Sequence, residues 1–207
     1  TLYHGLTVLL FATATLTAQE SFSEKSKDYS PYEGLFDYYY DESRDKIFME
    51  VQSLEKEFLY VYSLSSGIGS NDIGLDRGQL GNEQVVFFRK AGNKLLLIQP
   101  NLRYRALTEN ALEKKSVEQA FAKSVLYGFP IVETKSDSYI IDLTGFLMQD
   151  AHGVADRLKR TNQGAYSLDA SRSALNLERT RAFTKNVEFD VLLTFKGEPK
   201  GNHLRSV

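Results

Sequence analysis

The sequence contains no cysteine. Disulfides, thiolate-bound metals, cysteine nucleophiles and a lipid-modified N-terminal cysteine are therefore excluded. Tryptophan is also missing, and the three histidines are His4, His152 and His203. No two of them lie four residues apart with a glutamate between them, so the chain carries no His-Glu-x-x-His zinc helix. We expect no catalytic residue, no metal-ligand set and no cofactor in this chain.

A strong positive charge is missing as well. The 25 lysines and arginines are balanced by 27 acidic residues, which gives a formal net charge of −2. Nucleic-acid binders generally carry a basic patch or stripe, so we expect no nucleic-acid partner. An apolar content of 42% over 207 residues is sufficient for one globular core.

No apolar run is long enough to cross a membrane as a helix. The run from Leu6 to Leu16 is too short, and it ends in the small residues Thr-Ala-Gln. We predict a partial secretory signal peptide over 1–18, with a buried N-terminal helix as the alternative. We expect a polar segment over 19–31 to follow the signal peptide. A single domain would occupy 32–207 and would be truncated at its C-terminus. The protein would be exported to the periplasm, the outer surface or the extracellular space.

Most of the remaining pattern is typical of β-strands. Polar turns at 41–45 and 91–93 predict two hairpins. The aromatic and β-branched run over 58–64 predicts a strand covered on both faces. "SYIIDL" predicts a further strand, and the alternation over 187–195 predicts one half-buried strand.

Helical signals are fewer. Ser116 and Gln119 fit a capping box, and Gly128 and Pro130 would end the helix that begins there. Its apolar face would comprise Val117, Ala120, Phe121 and Val125. Residues 144–160 predict two short helical pieces broken near Gly153. Strands segregated from helices indicate an α+β fold with a mainly antiparallel β-sheet and a few short helices.

The least ordinary stretch is "SSGIGSNDIGLDRGQLGNE", 65–83, with five glycines. It fails as a phosphate loop because Leu75 and Asp76 stand where lysine and serine or threonine are needed. Asn71, Asp72 and Asp76 offer hard oxygen ligands, but their spacing does not match a known calcium loop. We consider Asp72, Asp76 and Arg77 a possible loop site, with a purely structural turn as the alternative.

A second possible polar site combines Asp150 and His152 in "QDAHGVADR". An aspartate close to a histidine could orient the ring for base catalysis or metal binding. A histidine at a helix break can equally be a capping or packing residue.

Several segments carry a family resemblance. They are "PYEGLFDYYYDESRDKIFMEV", the run from "EFLYVYSL" to "NLRYRA", "DLTGFLMQDAHGVADRLKR" and "AFTKNVEFDVLLTF". These resemble the N-terminal region of large exported bacterial zinc-dependent metalloproteases, in which an uncharacterised domain precedes a catalytic His-Glu-x-x-His domain. The similarity runs from Tyr32 to Phe195, and "GSNDIGLDRGQLG" is its most specific part.

The resemblance implies a parent metallopeptidase that cleaves peptide bonds with a zinc-activated water. The zinc and the catalytic residues would lie in a downstream domain, because none of them matches a position here. This chain would be the non-catalytic accessory region, and its partners would be that catalytic domain and a polypeptide substrate.

An alternative is a free-standing exported, β-rich binding module. Tyrosine combines an apolar ring with a polar tip, so tyrosine-rich strands could line a glycan- or peptide-binding face. The tyrosines concerned are Tyr38, Tyr39, Tyr40, Tyr60 and Tyr62. Aromatic strands can also belong to the core, because aromatic residues have high β propensity.

Overall fold

The computed structural model describes residues 21–68 and 70–204. The predicted signal peptide over 1–18 lies outside the described residues. The described chain has an α+β fold with a mainly antiparallel sheet and a few short helices, which confirms the predicted fold class. Within the two described ranges, no helix is both long enough and apolar enough to cross a bilayer.

Strands account for most of the regular structure. In chain order they are β1 Ser30–Tyr32, β2 Tyr38–Asp41, β3 Lys46–Val51, β4 Phe58–Tyr60, β5 Gln84–Ala91, β6 Lys94–Gln99, β7 Ser124–Thr134, β8 Tyr139–Asp142, β9 Gly164–Leu168, β10 Ala174–Leu175, β11 Arg181–Ala182, β12 Val187–Glu188, β13 Val191–Leu192 and β14 Phe195–Pro199. The α-helices are α1 Phe22–Lys25, α2 Ala111–Ala120, α3 Thr144–Leu147 and α4 Val154–Arg160. Short 3₁₀ turns lie at Ser26–Asp28, Asn71–Ile73 and Ala170–Arg172.

Eight strands form one antiparallel sheet in the order β1-β2-β3-β8-β7-β6-β5-β4. The two predicted hairpins are confirmed as β2–β3 and β5–β6. Asp45 and Gly92 have φ angles of 50° and 59° in these turns. Positive φ is well tolerated by Gly and by Asp, and both residues therefore suit tight turns.

One face of the sheet, here called the front face, holds the main core. Alternate residues of each strand point into it, as shown by Ile47, Met49 and Val51 of β3. Phe146 of α3 and Phe189 from the C-terminal region pack over this core. The front face is therefore closed by short elements that follow the sheet in sequence.

The opposite face of β3 and β8, here called the back face, is covered by the described part of the polar 19–31 segment. Phe22 is buried against Phe48 and Ile140, and its ring centroid lies 5.1 Å from that of Phe48. The Ser23 amide and hydroxyl both donate to Glu133, at 3.0 and 2.6 Å. The segment is thus fixed by one aromatic anchor and one carboxylate.

The prediction of a doubly covered strand over 58–64 was wrong. The strand β4 covers only Phe58–Tyr60 and is the outermost strand of the sheet. Phe58 and Tyr60 face the core, whereas Leu59 between them is 62% exposed. An aromatic, β-branched run fits an edge strand as well as a central one, and only the strand order separates the two.

The predicted helix from Ser116 to Gly128 was also misplaced. The helix α2 begins earlier, where the Asn110 side chain accepts a hydrogen bond from the Leu112 amide at 2.9 Å. Residues 124–134 form β7, which pairs with both β6 and β8. The long-range ladder with β6 outweighs the local helical pattern over 124–128. In contrast, the two helical pieces around Gly153 are confirmed as α3 and α4.

The single strand predicted over 187–195 is divided into three. The strands β12, β13 and β14 pair with β11, β10 and β9 respectively. The break between β12 and β13 lies at Asp190, whose amide donates to the Thr180 hydroxyl at 3.1 Å. Its carbonyl accepts from the Asn176 amide at 2.9 Å. The apolar residues alternate as predicted, but the 187–195 segment pairs with a different strand every few residues.

Candidate functional site

The first candidate residue, Asp150, lies just before α4. The helix begins after Gly153, which has a φ of 70° and no side chain with which to cap the helix. The Asp150 carboxylate replaces that cap by accepting from the Val154 and Ala155 amides at 2.8 and 2.9 Å. A carboxylate at this position satisfies free amide groups and stabilises the helix dipole. Asp150 therefore has a structural role.

His152 has a different environment from Asp150. Its ring packs edge-on against the Tyr62 ring, with centroids 5.7 Å apart and planes at 89°. Its Nδ1 atom is buried and has no hydrogen-bond partner among the described residues. Because both carboxylate oxygens of Asp150 bind the α4 amides, the two side chains predicted as one polar site have separate roles.

The loop over 65–83 packs against the same helix. A 3₁₀ turn at Asn71–Ile73 ends at Gly74, which has a φ of 70°. Ile73 and Leu75 are buried in a second, smaller core with Val154 and Leu158 of α4. Apolar burial thus holds the centre of a loop whose ends connect two strands of the sheet.

A single arginine fixes the backbone of this turn. The Arg157 guanidinium donates to the carbonyls of Ile73 and Gly74, at 2.8 and 3.4 Å. A Cβ atom at position 74 would overlap the same guanidinium group. Glycine is therefore required there by its φ angle and by the close approach of Arg157.

The three loop residues predicted as a site lie on the outside of this packing. Asp72 is exposed, and its carboxylate lies 3.8 Å from Nδ1 of His203. Asp76 and Arg77 are exposed and line an open depression beside Asn71. The described residues bring together no group of three or more His, Asp or Glu side chains that could hold a metal ion.

Sequence reasoning missed a partly buried polar network on the back face. The Glu50 carboxylate, 11% exposed, accepts from Lys135 at 2.6 Å, from Tyr39 at 3.2 Å and from Ser138. Burial raises the pKa of Glu50, but hydrogen bonds from Lys135 and Ser138 lower it by more. The pKa of Glu50 therefore lies below its ordinary value. Only the pairing of β3 with β8 places these residues together.

A groove formed by residues 100–123 was missed as well. This segment connects β6 to β7 and includes α2. The rings of Tyr104 and Phe121 stack in parallel, with centroids 4.0 Å apart. They form part of a cavity of about 250 Å³ between the 100–106 arm and α2. Sequence reasoning assigned Val117 and Phe121 to a helix face, but the opposing arm became visible only in the fold.

The fold and these sites define an α+β domain in which Asp150 caps α4, His152 packs against Tyr62, and the loop residues Asp72, Asp76 and Arg77 are exposed. The family model of DUF5117, a domain of unknown function, matches residues 78–207, and the chain belongs to this family. No curated protein and no solved structure matches the chain. The matched region includes β5 to β8, and the sheet is completed by β1 to β4 outside it.

Proposed function

We propose that this chain is the non-catalytic accessory region of an exported zinc-dependent metallopeptidase. A downstream domain would hold the zinc and hydrolyse the peptide bond. The partners of the chain would be that domain and its polypeptide substrate. The protein would work in the periplasm, on the outer surface or outside the cell.

The observation that carries the proposal is the structural use of the 65–83 loop. This loop bears the most specific part of the resemblance to the metallopeptidase region. Its apolar residues Ile73 and Leu75 are buried on α4, and Arg157 binds its backbone. Packing accounts for the apolar centre of the loop and for Gly74, as expected for a region that supports an enzyme without carrying its chemistry.

Asp150 supports the proposal in the same way. Its carboxylate binds two backbone amides of α4 at hydrogen-bond distance. A general base needs a free carboxylate within reach of the proton that it removes. A carboxylate engaged by two amides is better suited to fixing a helix than to catalysis.

The reading frame of the gene beyond Val207 tests this proposal. We expect a continuous frame that encodes an extended His-Glu-x-x-His motif further on. A stop codon soon after Val207 would contradict the proposal. The test is independent of how well the isolated chain folds.

The second candidate is a free-standing exported binding module for a glycan or a peptide. Tyr38 is fully buried, and Tyr60 packs against the main core, so these two rings are not available to a ligand in the described fold. The groove between the 100–106 arm and α2 offers a more accessible surface for such a module. A stop codon after Val207 would favour this candidate.

A further inference from the structure

The segment over 100–123 exposes several large apolar side chains. Leu107 and Leu112 are 96% and 76% exposed, and none of the ten residues of α2 is buried. Leu102, Tyr104 and Phe121 are also partly exposed. A surface that keeps several large apolar groups close together marks an interaction site in a soluble domain.

This segment encloses a groove rather than a flat patch. Its apolar lining comes from Pro100, Tyr104, Ala106, Val117 and Phe121, and its polar lining from Asn101, Lys114, Glu118 and Lys123. Its volume of about 250 Å³ lies just below the range of small-molecule sites, so it suits one or two side chains of a larger ligand. The stacked rings of Tyr104 and Phe121 give it a rigid aromatic wall.

The charge around the groove is positive. The segment over 100–123 contains five basic and three acidic residues, although the whole chain has a net charge of −2. Lys114 and Lys123 both line the groove. Lys123 is paired with Glu118 at 3.0 Å, whereas Lys114 has only a weak, exposed contact with Glu109 at 3.9 Å. The Lys114 ammonium group is therefore available to an acidic ligand.

We propose that this groove binds an extended peptide segment, which inserts one apolar side chain between Val117 and Phe121 and places an acidic residue against Lys114. The inference rests on the groove alone and requires no downstream protease, and it specifies the peptide that the second candidate would bind. Apolar insertion would supply most of the affinity, and the charge would select the sequence around the inserted side chain.

A peptide fits these observations better than a membrane surface. An interfacial helix presents a continuous apolar face with basic residues beside it. Here the large apolar residues of α2 are Leu112 and Val117, which lie five positions apart on different faces of the helix, so α2 presents no such face. The groove is also concave, so a protruding side chain can fill it and a flat bilayer cannot.

Calorimetric titration of the 207-residue chain with three synthetic peptides tests the proposal. The probes are acetyl-Glu-Asp-Phe-Asp-Glu-amide, the same peptide with glycine in place of phenylalanine, and acetyl-Lys-Lys-Phe-Lys-Lys-amide. At low salt we expect the first peptide to bind at least about tenfold more tightly than either of the others. Equal binding of all three peptides, or binding of none, would overturn the proposal.

Matched variants locate the site. Lys114→Glu should weaken binding of the first peptide by about tenfold, whereas Lys115→Glu on the same helix should change it by less than about twofold. Val117→Asp should abolish binding, and the exposed Leu112→Asp should leave it unchanged. Because α2 buries no residue, circular dichroism and thermal melting should show that all four variants remain folded.

Two other results would overturn the proposal. In the first, the chain sediments with phosphatidylserine vesicles, the Val117→Asp variant does not, and no peptide binds. In the second, light scattering shows that the chain is a dimer, the Val117→Asp variant is a monomer, and no peptide binds. Either result would assign the groove to a different occupant.

Discussion

At the scale of single residues, a few charged side chains hold the backbone where its own hydrogen bonds end. Asp150 binds the first amides of α4, and Arg157 binds the carbonyls of the loop turn. Both interactions connect α4 to segments that lack regular structure. The region around α4 therefore depends on charge-assisted hydrogen bonds as well as on apolar burial.

Replacing Asp150 by alanine should lower the free energy of unfolding by about 1–2 kcal/mol, because the amides at the start of α4 lose their acceptor. Urea denaturation of the purified chain measures the change. Asp156→Ala is the control, since Asp156 is an exposed residue in the first turn of the same helix. If the two substitutions have equal effects, Asp150 acts only through its negative charge near the start of the helix and not as a hydrogen-bond acceptor.

Glu50 should make stability depend on pH. Burial opposes ionisation, but hydrogen bonds from Lys135 and Ser138 outweigh it and hold the pKa of Glu50 below its ordinary value. A carboxyl group with a lowered pKa stabilises the fold at pH values above its unfolded pKa. This stabilisation is lost as the pH falls through the folded pKa.

Glu50→Gln should therefore lower the free energy of unfolding by about 1–3 kcal/mol at neutral pH, since Lys135 and Ser138 lose a charged acceptor. The difference from the wild type should shrink on acidification to about pH 3. Urea denaturation at both pH values measures it. Glu57→Gln, at an exposed position, should have a small effect at both. A Glu50→Gln difference that is the same at both pH values would contradict this assignment.

At the scale of elements, the strand β7 and the helix α2 show how tertiary pairing overrides a local pattern. The strand β7 lies between β6 and β8 and contributes Phe129, 1% exposed, to the main core. The helix α2 precedes it in sequence and buries no residue. One apolar pattern over 116–128 was read as a helix, but it contains the end of an exposed helix and the start of a core strand.

Phe129→Ala should therefore cost about 3–5 kcal/mol in the free energy of unfolding, because it leaves a cavity among Phe88, Tyr127 and Phe146. Phe121→Ala should cost less than about 1 kcal/mol, since the Phe121 side chain is 37% exposed at the end of α2. Chemical denaturation of both variants provides the measurement. Similar losses would contradict the assignment of Phe129 to the core and of Phe121 to an exposed helix end.

The success of the sequence predictions depended on the distance over which each signal acts. The hairpins at 41–45 and 91–93 and the break at Gly153 follow from local turn chemistry, and they were found. The edge position of β4 and the division of 187–195 depend on partners that are distant in sequence, and they were missed. The 100–123 groove was missed for the same reason.

At the scale of the whole molecule, the large sheet carries the main core and a small back-face cluster, and the second, smaller core lies outside the sheet. The front face holds the main core, whereas the smaller core joins the 65–83 loop to α4 and the C-terminal strands. The Ser65 hydroxyl and the Asp190 carboxylate, 3.3 Å apart, link that loop to the C-terminal region. The 65–83 loop thus helps to connect the large sheet to the C-terminal region.

We propose that this chain supports peptide hydrolysis without carrying the catalytic residues itself. The most direct test compares the purified 207-residue chain with the full-length protein of the same gene, by elemental analysis for zinc and by casein cleavage. We expect zinc and cleavage in the full-length protein, and neither stoichiometric zinc nor cleavage in the chain. Stoichiometric zinc in the chain, lost on replacing His152 and His203 by glutamine, would contradict the claim.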